Sequence, residues 1–117
     1  MIQRVTLNDD CLQRLRAFGL RLEREQRVMM AWAFADETIH DPPPWVADRL
    51  KWSMDKPGAI RFVPSNERGP LAIMNVTHEG QEMFTVIGPG GRFLKWGENE
   101  VGFVSWDDFG RDYRVVE

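Results

Sequence analysis

His78-Glu79 and His40-Asp41 each set an imidazole beside a carboxylate, the pair of residue types that general acid–base catalysis uses. Neither pair has a nucleophile in its sequence context, and neighbours in an extended strand point to opposite sides. Both histidines therefore read as exposed turn residues. A metal site would have to gather His40, His78 and Cys11 from three distant places, with no close ligand spacing, so neither a metal nor another cofactor is expected. Cys11 stands near a helix start, where a thiolate is favoured, but Asp9 and Asp10 oppose the negative charge and the thiol reads as structural. Gly88-Pro89-Gly90-Gly91-Arg92 has the glycines of a phosphate cradle, yet Phe93-Leu94-Lys95-Trp96 continues as a strand rather than a helix, so a hairpin turn accounts for it. These readings favour a protein that is not an enzyme.

Contact surface is more abundant than catalytic chemistry. The 117 residues include five tryptophans, at 32, 45, 52, 96 and 106, beside two histidines and one cysteine. Indole combines a large apolar area with one N–H donor, which suits a small core or a protein interface. The net charge of −3 is unevenly placed. Residues 1–54 hold eight basic and eight acidic side chains, whereas 55–117 hold seven against ten. Trp96 and Trp106 are accompanied by Glu98, Glu100, Asp107 and Asp108, a composition that fits docking on a basic protein surface. An alternative basic face, Arg14, Arg21, Arg24 and Arg27, is interspersed with Glu23 and Glu25 and reads first as solvated.

The elements that must position these residues fall into two halves of different period. Leu12, Leu15, Leu22, Met29 and Ala33 share a helical face, which predicts one long helix from Asn8 to about Glu37, capped by Thr6 or Asn8. Its segment Val28 to Ala35 is apolar all round and must be covered on every side. His40-Asp41-Pro42-Pro43-Pro44 ends it, and Trp45 to about Met54 predicts a second, short helix whose Trp45, Arg49 and Trp52 adjoin, so that guanidinium could stack on indole. Beyond Asp55-Lys56-Pro57-Gly58 the apolar period drops to two. Strands are predicted at Ala59–Val63, Leu71–Thr77, Glu82–Gly88, Arg92–Trp96 and Val101–Trp106, with a turn at Asp107–Gly110, a further strand at Asp112–Val116 and an edge strand at Ile2–Val5.

The fold class expected is α+β in a single domain, 1–117: a mainly helical half, 1–54, packed on a curled antiparallel β-meander of four to six strands, 55–117, with an SH3-like barrel as its closed form. The longest apolar run is too short for a bilayer span, and a lone cysteine fits a reducing compartment, so a cytoplasmic protein is expected. The leading functional expectation is a small acidic module that binds a basic protein as inhibitor, antagonist or adaptor, in the manner of immunity and anti-defence proteins. Its site is Trp96, Glu98, Glu100, Trp106, Asp107 and Asp108. The alternatives are a small nucleic-acid-binding barrel, disfavoured by the acidity, and a small-molecule pocket served by tryptophan and His78.

Overall fold

The computed structural model describes residues 2–17, 28–64 and 67–116, as two antiparallel sheets and three short helices. In chain order the elements are β1 (Ile2–Leu7), α1 (Asp9–Ala17), β2 (Met29–Ala33), α2 (Pro44–Leu50), β3 (Ile60–Val63), β4 (Leu71–His78), β5 (Gln81–Ile87), β6 (Arg92–Lys95), β7 (Val101–Val104), α3 (Trp106–Asp112) and β8 (Tyr113–Val115). The larger sheet has the order β7-β6-β2-β1-β8 and the smaller β3-β4-β5. The α+β class with antiparallel strands is thus present.

The long N-terminal helix is not. A helix spans Asp9–Ala17 only, and Met29–Ala33 is the central strand of the larger sheet, paired with β1 on one side and β6 on the other. The all-round apolarity of this segment has the cause that any such segment has, cover on every side, but the segment is a strand covered on both faces of its sheet. Trp32 and its partner Phe93 project to one face, where Phe34, Val46, Ile60, Ala72, Met74 and Ile87 join them in a core closed by the smaller sheet and α2. Ala31 and its partner Leu94 project to the other, into a second core with Val5, Met29 and Val104, against which Trp96, Phe109 and Tyr113 pack.

The division into helical and β halves also gives way, because β1 and β2 pair with β8 and β6 from the far end of the chain. β1 is an interior strand, not an edge. Among the described residues the two sheets share no strand pair, so the single meander is replaced by two sheets packed face to face rather than by a closed barrel. The strands from β3 to β7 fall within two residues of their predicted positions. Glu79 and Gly80, with φ of 52° and 79°, form the two-residue turn between β4 and β5, as the right-handed twist of a hairpin requires.

Polar side chains tie the smaller sheet to α2. The predicted stack exists: the Arg49 guanidinium carbon lies 4.2 Å from the centre of the Trp52 ring, and Lys56 Nζ lies 3.8 Å from it. Arg49 also donates to Gly58 O and Asn99 O, holding the β6–β7 turn against α2. Arg61 donates to Leu50 O at 2.8 Å and Trp52 O at 2.6 Å, satisfying carbonyls that the end of α2 leaves open. Asn75 is fully buried and donates from Nδ2 to Met54 O at 2.7 Å, which pins the loop before β3. Asn75→Leu strands that carbonyl, and a loss of about 1–3 kcal/mol in unfolding free energy is expected. Urea denaturation measures it, and a loss below about 0.5 kcal/mol overturns the assigned role.

Candidate functional site

The β6–β7 hairpin separates the expected site into two groups. Its register pairs Lys95 with Val101 at one end and Arg92 with Val104 at the other. Trp96, Glu98 and Glu100 belong to the turn end and Trp106, Asp107 and Asp108 to the opposite end, with roughly 10 Å of strand between the terminal pairs. They flank β7, the edge strand of the larger sheet, at its two ends.

At the turn end the indole is structural. Trp96 packs against the second core and across Gly102, where an added Cβ would lie 2.6 Å from Trp96 Cζ3. Only glycine allows that approach. The Glu100 side chain folds back over Gly97, 3.3 Å from where a Cβ would stand, and Glu98 is exposed. Replacing Trp96 would therefore disturb packing as well as any surface.

At the other end the predicted turn is α3. Ser105 caps it, its Oγ accepting from Asp108 N at 3.2 Å, and Asp107 and Asp108 occupy the first turn, where the helix dipole favours negative charge. Asp108 is bound by Arg111 at 2.8 Å, so less of the acidic rim is free than the sequence implied. Trp106, the first residue of α3, is 65% exposed. The other four tryptophans are buried or half-buried.

Trp106 stands on the turn before β6. Gly90 has a φ of 84°, and an added Cβ there would meet Trp106 Cδ1 at 3.0 Å, so this position requires glycine for its conformation and for the contact. Arg92 reaches the same residue, donating from Nη1 to Gly90 O. Its guanidinium lies 4.7 Å from the Phe109 ring centre, and its Nε is buried without a hydrogen-bond acceptor among the described residues. Burial lowers the basicity of Arg92, and among the described residues no carboxylate acts to raise it.

Trp106 and Arg92 line an open cleft of about 450 Å³. Phe34, Pro70, Pro89 and Gly90 supply its apolar lining, and Asp36, Glu37, Glu67 and Arg68 its charged rim. Sequence reasoning missed all of these except Trp106, although Arg92 carried a signal. It shares a face of β6 with Leu94, and the partners on that face, Ala33 and Val104, are apolar. A charge at an inward position of a period-two strand is costly unless something uses it.

The remaining candidates are dispersed. Arg14 is engaged with Asp112 at the junction of α1 and α3, while Arg21, Arg24 and Arg27 lie outside the described residues. Asn8 caps α1, accepting from Cys11 N at 2.9 Å, and its amide donates to Arg111 O at 2.6 Å. Cys11 is buried, and burial followed by the charge of Asp112 pushes its thiol pKa up, away from thiolate chemistry. His40 is exposed. His78 ends β4, its side chain lying outside what is described. Among the described residues no group of three His, Cys, Asp or Glu could hold a metal ion, and no helix is long and apolar enough to cross a membrane. Phe84 and Val86, 62% and 60% exposed, point to one face of β5, whereas Met83, 49% exposed, points to the other, so they form no single patch.

The α1–α3 junction has a pH signature. The Arg111 hydrogen bond, aided by Arg14, holds the Asp112 carboxyl below the usual carboxylate range. A depressed folded-state pKa adds stability above the unfolded value, about 4, and that stability is lost as pH falls through the folded value. Asp112→Asn is expected to lower stability by up to about 1 kcal/mol at neutral pH and by progressively less in acid. Denaturant titrations at both ends of the range check this, and an equal loss at both would count against it.

No family model, curated protein or solved structure matches the chain.

Proposed function

We propose that this chain acts by binding another protein, as inhibitor, antagonist or adaptor, through the cleft beside Trp106. The observation that carries the reading is an indole 65% exposed at the mouth of that cleft, seated on Gly90. Large exposed aromatics are costly in water and are the residues that anchor protein interfaces when a pocket adjoins them. The rim supports a partner with a basic surface, since Asp36, Glu37 and Glu67 border the cleft against Arg68 and Arg92, and Asp107 follows Trp106. The Trp106 end of the hairpin is preferred over the Trp96 end because Trp96 is packed into the second core.

Affinity capture from the source cells tests this with two variants. Capture of a specific protein by the wild type, lost in Trp106→Ala and retained in the double variant Glu98→Ala/Glu100→Ala, is expected. Retention in the first and loss in the second would move the surface to the other end of the hairpin and overturn the assignment.

A further inference from the structure

We infer that the Trp106 cleft recognises a carboxylate set next to an aromatic or apolar group on an otherwise basic partner segment, with Arg92 taking the carboxylate and Trp106 the apolar group. This rests on the reading of the cleft as a protein-binding surface, and it specifies the chemistry that fills it.

Gly90 makes the two side chains one site. Arg92 donates to its carbonyl and Trp106 packs on its α-carbon, so guanidinium and indole flank a single residue at the cleft wall. The guanidinium is under-compensated. It has one backbone carbonyl and one phenyl face, Nε has no acceptor among the described residues, and no carboxylate forms an ion pair with it there. A half-buried cation of this kind gains most from an anion brought into a partly desolvated site, where charge-assisted hydrogen bonds are about twice as strong as neutral ones. The same anion offsets the lost hydration that depresses the basicity of Arg92.

The rim decides which anion. Asp36, Glu37 and Glu67 face Arg68 and Arg92, three negative charges against two positive. A phosphate monoester carries nearly two charges at neutral pH and would meet that excess, whereas a carboxylate carries one and is planar, matching the guanidinium fork. The same acidic rim favours lysine or arginine on either side of the inserted carboxylate. An acidic side chain or a C-terminal carboxylate within a basic, partly aromatic segment satisfies the rim, the guanidinium and the indole together.

The minimal probe is 3-phenylpropionate, compared with 3-phenylpropanamide, inorganic phosphate and adenosine monophosphate, each titrated into the ¹⁵N-labelled full chain. Displacement of the Trp106 indole N–H and Arg92 Nε–H resonances is followed. The carboxylate is expected to bind at least about tenfold more tightly than the amide, the low end of what one charge-assisted hydrogen bond supplies, and to move both resonances. Arg92→Gln is expected to bring that ratio to about one, with Arg92→Lys intermediate because its ammonium keeps charge but not the fork. Thermal melting of both variants checks that the fold is intact, and the lysine variant serves if the glutamine variant melts early.

Equal binding of acid and amide, with Trp106 still displaced, would overturn the anion site and leave the protein-binding reading standing. Tighter binding of phosphate or adenosine monophosphate would replace the carboxylate with a phosphate ligand and overturn the inference. Absence of any displacement at Trp106 and Arg92 with all four probes would overturn it as well. The assignment of protein binding to this cleft fails separately, when Trp106→Ala still captures the partner.

Discussion

Phe93→Ala is expected to lower the thermal midpoint by about 10–20 °C, corresponding to a loss of about 3–5 kcal/mol for emptying a buried phenyl site. Phe93 is fully buried at the centre of the core between the two sheets. Its ring centroid lies 5.6 Å from Phe34, 6.2 Å from Phe62 and 6.4 Å from Trp32. Phe62 belongs to the smaller sheet and Trp32 to the larger, so the phenyl is a tie between sheets that share no strand pair among the described residues. Surrounding aromatics are stiff and collapse poorly into a void, which places the cost high in its range. A domain of this size has about 5–15 kcal/mol in total, so the variant keeps a folded state only with reduced margin. Phe93→Leu, which retains most of the volume, should recover more than half of the loss. Circular dichroism melting reads both, and a drop under about 3 °C for the alanine variant would mean that the sheets are held together elsewhere.

The second large effect is on binding. Trp106→Ala is expected to weaken the complex by about 30-fold or more, at least about 2 kcal/mol, while altering stability by less than about 1 kcal/mol. The two numbers belong together. Trp106 is 65% exposed, and its contact with Gly90 is the part of the ring that folding buries, so most of its area is free to be covered by a partner. Trp106→Phe should lie between, because it preserves an aromatic anchor of smaller area without the N–H. Calorimetric titration with the captured partner measures the affinity and melting measures the fold. An affinity within about threefold of the wild type would remove Trp106 from the interface.

The acidic rim and the α1–α3 junction have different energetic weight. Asp112 is held by both Arg14 and Arg111 and works within the chain. Asp107, exposed one residue beyond Trp106, is available to a basic partner and is expected to act mainly on the rate of association. Counting acids in the sequence from Glu98 onward merges these roles, since charge density carries no information about which carboxylates already have arginines.

The strands from β3 to β7 were legible because half-buried antiparallel strands alternate and their turns need glycine, proline or asparagine. The second helix was legible from its proline start and four-residue spacing. The central strand was not. Met29-Met30-Ala31-Trp32-Ala33 contains methionine and alanine, strong helix formers, and no β-branched residue, so propensity and periodicity both pointed to a helix. Pairing with β1 and β6 overrode them, since a strand buried on both faces loses the alternation by which strands are recognised. The helix α3 was read as a strand end and a turn: Ser105 followed by Trp106-Asp107-Asp108 has the order of a capped first turn, but seven residues are too few for a periodic stripe.

The sequence by itself determined the α+β class, the alternation of the β half, the abundance of aromatic contact surface and the acidic character of the C-terminal segment, because these depend on composition and short-range spacing. Tertiary structure alone decided which tryptophan is core and which is surface. Trp96 and Trp106 have similar neighbours in sequence, but one meets Gly102 across a hairpin and the other rests on a turn at its far end. It also brought Arg92 beside Trp106 through Gly90, and joined β1 to β8 across the length of the chain. Burial and charge compensation are sums over neighbours distant in sequence, and only the folded chain fixes which neighbours those are.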